Sequence, residues 1–126
     1  MRLNQVTIGS TNLDRSEQFF TTLGLTVIVK DSHYLRFECP VGVSTFSVES
    51  VEAVGPSEQV TVYFECDELD REYERLRRAG VKFELAPSDM PWRWREARFR
   101  DPDGHRFCLF HAGENRRYPP WRVRGD

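Results

Sequence analysis

The chain opens on an alternation. In Leu3-Asn4-Gln5-Val6-Thr7-Ile8 the period is two, which predicts a strand with one buried face. Thr11-Asn12 then supplies a polar helix cap. From there the period lengthens, and Leu13, Ser16, Phe19, Phe20 and Leu23 fall on one side of a helix. Gly24 stands where a left-handed C-cap belongs. Three strand-like runs follow, at roughly 25–30, 33–39 and 43–49.

The same order then returns. Leu13-Asp14-Arg15 matches Leu69-Asp70-Arg71, a spacing of 56 positions, and without a gap Val6 falls on Val62, Ile8 on Phe64, Phe20 on Leu76 and Gly24 on Gly80. The second copy has its own alternating run, Val60-Thr61-Val62-Tyr63-Phe64, and a polar cap at Asp67. Its helix carries Leu69, Tyr73 and Leu76, and strand-like runs follow at roughly 81–86, 94–100 and 104–110. The unit is therefore β-α-β-β-β, twice, in an α+β chain. The first module spans 1–50, a linker 51–58 and the second module 59–111, together one domain over 1–111. The tail 112–126 contains Pro119-Pro120 and no period, and reads as an extended arm. Pro102-Asp103-Gly104 marks a turn between the last two strands.

Composition narrows the class. The chain has 126 residues, one domain's worth, with 39% hydrophobic and 30% charged side chains. No run reaches the ~18 apolar residues of a membrane span, and the start lacks the apolar stretch of a secretory signal. Cys39, Cys66 and Cys108 are scattered and odd in number, which points to a reducing, cytoplasmic setting. The net charge of −2 gives no general attraction to nucleic acid. It is unevenly spread: residues 1–91 hold 9 basic and 15 acidic side chains, residues 92–126 hold 9 basic and 5 acidic. A basic C-terminal stretch of this kind docks on the acidic remainder of its own or a partner chain, or binds an anion.

Asn12-Leu13-Asp14 opens the first helix and Phe19-Phe20-Thr21-Thr22-Leu23-Gly24-Leu25 closes it. Asp67-Glu68-Leu69-Asp70 opens the second, and Asp101-Pro102-Asp103-Gly104-His105 precedes the last strand. In this order and spacing, over about residues 3–111, the chain resembles the vicinal oxygen chelate superfamily, which contains glyoxalase I, bleomycin-resistance proteins, fosfomycin-resistance enzymes and extradiol dioxygenases. The resemblance implies that the strands of each unit curl into a half-barrel around a pocket, and it implies a homodimer. In metal-using members, ligands on the first and last strand of each unit hold one divalent ion, which polarises a carbonyl or stabilises an enediolate. Carried over position by position, those places are Gln5, Ser47, Thr61 and Cys108. A two-residue slip would replace Ser47 by Glu49. This neutral quartet is a poor divalent site, so the expectation is no metal and no cofactor.

By alternation, the pocket wall expected from that resemblance comprises Gln5, Thr7, Thr45, Ser47, Thr61, Tyr63, Cys108 and Phe110, with Glu65 at the strand end. Val6, Ile8, Phe46, Val48, Val62, Phe64, Phe107 and Leu109 point to the helices. Trp92 and Trp94, interleaved with Arg93 and Arg95, read either as an aromatic wall over a planar or anionic ligand or as a packed loop. Cys108 would need a nearby cation or base to act as a nucleophile, and the bland reading is a small buried hydrophobe. Glu65 is a candidate base on a solvated rim, and Tyr63 a candidate donor to a ligand carbonyl. His33, His105 and His111 read as surface or structural residues.

Two functions stay open. One is a metal-free pocket that binds a small organic molecule and sequesters a drug or metabolite, lined by Gln5, Thr7, Ser47, Thr61, Tyr63, Cys108, Phe110 and Trp92 or Trp94. The other is an enzyme (a lyase, isomerase or dioxygenase) using either a metal at a rearranged site drawn from Glu49, Glu65 and a histidine, or a metal-free acid–base site drawn from Glu65, Tyr63 or Cys108. A pure interaction module, with the arm and the Trp-Arg loop as its interface, is a third and weaker reading.

Overall fold

The computed structural model describes residues 1–55 and 59–123. The end of the 51–58 linker and the last three residues of the arm lie outside them. Elements follow the expected order: β1 Gln5–Ser10, α1 Leu13–Leu23, β2 Thr26–Lys30, β3 Tyr34–Glu38, β4 Thr45–Ser50, then β5 Thr61–Glu65, α2 Leu69–Arg78, β6 Phe83–Asp89, β7 Arg95–Arg100 and β8 Arg106–His111. The chain falls into two compact units, one of Met1–Ser57 with Asp101–His105, the other of Glu58–Arg100 with Arg106–Asp126.

Each unit builds one four-stranded mixed sheet, of order β1-β4-β3-β2 in the first and β5-β8-β7-β6 in the second. In each, the first and last strands run parallel and the remaining pairs antiparallel. The helix crosses one face. In the first unit Phe20 is fully buried and packs its ring at 5.8 Å from Phe37 and 4.8 Å from Phe46. In the second, Leu69 and Leu76 are buried, Tyr73 meets Phe83 edge-on at 4.7 Å, and Phe83, Phe99, Phe107 and Phe64 continue ring to ring. These apolar faces are the parity that the alternation assigned.

Local signals set the helix ends. Asn12 caps α1, its Oδ1 accepting from Arg15 N at 3.0 Å, and Gly24 closes it with φ 114°. The second helix differs from expectation. Its N-cap is Glu68, not Asp67, and no side chain accepts a cap hydrogen bond. The helix compensates with acidic Asp70 and Glu72 in its first turn and basic residues in its last, which suit the macrodipole. The tail also differs. It opens with a 3-10 turn at Gly113–Asn115 before residues 116–123 run on, because Glu65 Oε2 accepts from the backbone N of Ala112 (2.8 Å) and Gly113 (3.0 Å) and bends the chain there.

The turn Asp101–His105 belongs to the first unit, and polar contacts hold it there. The Asp103 carboxylate accepts from Thr11 Oγ1 at 2.6 Å and Arg15 Nη2 at 3.0 Å, and His105 Nε2 bonds Gly9 O at 2.8 Å. His105, read as a surface or structural residue, is half-buried and structural here. Asp101 is buried. Its Oδ1 accepts from the N–H of Asp103 and His105, while Oδ2 has no hydrogen-bond partner among the described residues.

Burial raises the pKa of Asp101, and the neighbouring Asp103 charge adds to that. Its contribution to stability is thus complete below the unfolded carboxylate pKa and is lost as pH rises through the folded one. An Asp101→Asn variant keeps the acceptor oxygen. It should melt with the wild type near pH 3 and above it at pH 7, as followed by circular dichroism. A variant less stable than wild type at pH 7 contradicts this account.

Candidate functional site

Register decides which side chains share the uncovered face of each sheet. In the first, Thr7, Ser47 and Arg36 form one row across β1, β4 and β3. In the second, Tyr63, Cys108 and Arg98 form the matching row across β5, β8 and β7. The rows are counterparts in the repeat. Each carries an arginine on its third strand, which sequence reasoning did not single out.

On the first sheet Ser47 is fully buried and accepts from Thr7 Oγ1 at 3.2 Å. Gln5 is exposed, and its Oε1 accepts from Thr45 Oγ1 at 2.8 Å. Arg36 donates from Nε to the Tyr34 hydroxyl at 3.0 Å and lies over its ring at 5.4 Å. The Ser47 hydroxyl, then Arg36 and Gln5, hold the Tyr34 phenol below its usual range.

The second sheet gathers more of the expected residues. Trp94 stacks on Phe110 at 4.7 Å, and Tyr63 meets both rings edge-on, at 6.0 and 5.6 Å. Cys108 lies fully buried beneath this cluster with Phe110 and Ala112. The Trp94 indole N–H donates to Asn115 O at 3.3 Å, so the 3-10 turn braces the ring. Thr61 stands one row away, opposite Arg106, and is not part of the cluster.

Its charged centre is Glu96, only 1% exposed. Arg98 donates to Glu96 Oε1 from Nε (3.2 Å) and Nη2 (2.9 Å), and the Trp92 indole N–H donates to Oε2 at 2.7 Å. Arg98 also donates to the Tyr63 hydroxyl at 3.2 Å. The loop before β7 makes this possible. Met90 N donates to Trp94 O, Arg93 N to Met90 O, and Arg93 takes φ 67°, a left-handed conformation costly for a residue with a Cβ. That turn swings Trp92 back over the strand. Glu96 was legible in principle, since Trp94, Glu96 and Arg98 alternate on one strand face. Its burial was not.

The catalytic candidates fare differently. Burial, then the Glu96 charge, pushes the Cys108 thiol up to about 12, so the thiolate needed for nucleophilic attack is scarce at neutral pH. Glu65 is occupied with the backbone N–H groups of Ala112 and Gly113 and lies 3.7 Å from Arg116. His111 bonds Cys66 O through Nδ1 on the helix side, and His33 is exposed. Glu49 is exposed at the end of β4. A surface groove of about 710 Å³ lies on the helix side of the first unit between Asn12, Glu17, Lys30 and Ser50, and none of the catalytic candidates lines it.

A metal fits this set badly. Gln5, Ser47 and Thr61 offer only neutral oxygens, and Cys108 holds its proton. Among the described residues no three His, Cys, Asp or Glu side chains gather closely enough to hold an ion.

The sequence profile of the Glyoxalase/Bleomycin resistance protein/Dioxygenase superfamily matches residues 2–109. The chain belongs to that superfamily. A member from Nocardioides, described by the same family name, is 26% identical with a TM-score of 0.78, over 98% of this chain and 90% of its own. A bleomycin-binding protein complexed with bleomycin is 18% identical (TM-score 0.73; 88% of this chain, 98% of its own). Lactoylglutathione lyase from Agrobacterium tumefaciens is 17% identical (TM-score 0.73; 87% and 92%). The last two likenesses establish the superfamily's two-module fold. No curated protein matches the chain.

Two outcomes follow from the site. Glu96→Ala strands the Arg98 guanidinium and the Trp92 N–H, and should cost roughly 3 kcal/mol in urea denaturation; Glu96→Gln, which keeps an acceptor, should cost less. Iodoacetamide at pH 7.5 should leave Cys108 of the native protein unmodified over hours, while in urea all three thiols react. Rapid native labelling of Cys108, read by peptide mass spectrometry, contradicts the raised pKa.

Proposed function

We propose that this superfamily member binds a small organic molecule on the uncovered face of its second sheet, without a metal, and sequesters a drug or metabolite in the cytoplasm as a homodimer. The observation that carries the reading is the Tyr63–Trp94–Phe110 ring cluster with the Arg98–Glu96 pair at its edge. Tyr63 is 44% exposed and Trp94 half-buried over the buried Phe110, so aromatic surface faces outward on a sheet face that its own helix leaves bare. Such a surface stacks a planar molecule, and the adjoining guanidinium and phenol supply directional hydrogen bonds. The charge of Arg98 is already balanced by Glu96, which favours a neutral ring at this place. Thr61 adds a polar group on the same sheet, and Trp92 orders the rim, while Gln5, Thr7 and Ser47 lie on the first sheet. A solved relative complexed with bleomycin lends support to a ligand-binding role. The metal-free part rests on the donor chemistry above.

The test uses the full chain, stripped with EDTA. Bleomycin and a panel of planar heteroaromatic molecules are titrated while tryptophan fluorescence is followed. At least one should quench it saturably, and Tyr63→Ala should weaken that binding about tenfold, or about 1.4 kcal/mol. Restoring Mn, Ni or Zn should leave the affinity unchanged. Binding that appears only with a divalent ion, or no quenching by any compound, overturns the proposal.

A further inference from the structure

The two arginines of the repeat are not equivalent in charge. Arg98 has a carboxylate two residues before it on the same strand face, and Glu96 neutralises it at 2.9 Å. Arg36 has Tyr34 in that place. Among the described residues Arg36 forms no ion pair. Only its Nε is engaged, with the Tyr34 hydroxyl, and both terminal nitrogens are left without a hydrogen bond. Its nearest partners are hydroxyl groups, Tyr34 beside it and Ser47 and Thr7 in its own row, while the carboxylates of the adjacent rows, Glu38 and Glu49, form no ion pair with it. Its side chain is half-buried, which raises the cost of an uncompensated charge.

We infer that Arg36, Tyr34, Ser47 and Thr7 form an anion-recognition site on the first sheet, which takes the carboxylate of a small organic monoanion on the Arg36 fork. The inference stands on the first sheet alone and goes beyond the small-molecule reading of the second. Two terminal N–H groups in one plane match the two oxygens of a carboxylate, and the bond from Nε to Tyr34 fixes the orientation of that plane. The Thr7 and Tyr34 hydroxyls can turn their protons toward the incoming oxygens, while buried Ser47 holds Thr7 in place. The state of Tyr34 agrees: the same neighbours hold its phenol below the ordinary range, so a negative oxygen is favoured at this spot. Glu38 and Glu49 occupy adjacent rows of the same face, both exposed and neither paired with Arg36. They disfavour a second negative charge, which selects a carboxylate over a phosphate dianion.

The experiment is an amide nuclear magnetic resonance titration of the full chain at pH 7.5 with benzoate, its neutral isostere benzamide, and inorganic phosphate. Benzoate should shift the amides of Thr7, Arg36 and Ser47 and bind at least tenfold more tightly than benzamide or phosphate. Arg36→Gln should lose that preference, and Arg36→Lys, which keeps the charge but not the fork, should lose most of it. Should Arg36→Gln fail to fold, Arg36→Lys and Tyr34→Phe carry the test, each expected to weaken benzoate severalfold. Equal binding of benzoate and benzamide, tighter binding of phosphate, or benzoate binding indifferent to these substitutions overturns the inference. If a neutral planar compound still quenches the tryptophans in that case, the proposed function stands without an anionic ligand. If nothing binds either sheet, both readings fall.

Discussion

Each unit of this chain has four strands and one helix, so each sheet has one face that its own unit can seal and one that it cannot. Most of what is distinctive follows from that shortage. The sealed face takes the apolar parity of every strand, and Phe20, Phe37, Phe46, Phe99 and Phe107 are each no more than 2% exposed there. The other parity is free to carry hydroxyls, arginines, tyrosines and a buried glutamate. A carboxylate in the sealed face would have had no partners. On the uncovered face Glu96 gathers three hydrogen bonds, and its desolvation is offset by the guanidinium and indole that cause it.

Repetition of the unit supplies the frame, and divergence supplies the chemistry. Thr7-Ser47-Arg36 and Tyr63-Cys108-Arg98 occupy the same rows of two like sheets. In the first the row is hydroxylic and its cation unbalanced. In the second it is aromatic and its cation neutralised. The rings of the second row, braced by the 3-10 turn after β8, present a stacking surface, while the first presents hydrogen-bond donors.

Gln5, Ser47, Thr61 and Cys108, the places that the resemblance marked for metal ligands, offer an amide, two hydroxyls and a buried thiol, and these lack the charge that compensates a divalent ion for its lost water. Of the two buried acidic residues, Glu96 and Asp101, Glu96 belongs to β7 and answers to an arginine rather than to an ion.

Local patterning was enough for the element order, the repeat, the strand parity and the two-module superfamily fold, because periods of two and 3.6 and a capping Asn12 act over a few residues. It also placed Tyr63, Cys108 and Phe110 on one face, with Trp92 or Trp94 left open as their neighbour. It failed where the deciding contact was distant in sequence or depended on a turn. The start of α2 fell at Glu68 because the helix relies on its charged ends instead of a side-chain cap. The tail bent at Gly113 because Glu65, 48 positions earlier, captures two backbone N–H groups. Glu96 looks in the sequence like any solvated glutamate between Arg95 and Ala97. Only the left-handed turn at Arg93, which returns Trp92 to it, and the register that sets Arg98 beside Tyr63 make it a buried ion pair. Sequence fixes which face a side chain takes, since alternation is a property of the strand. Tertiary structure decides whether a charge on that face is neutralised, as at Arg98, or left open, as at Arg36, since neutralisation depends on which groups the folded chain brings within reach.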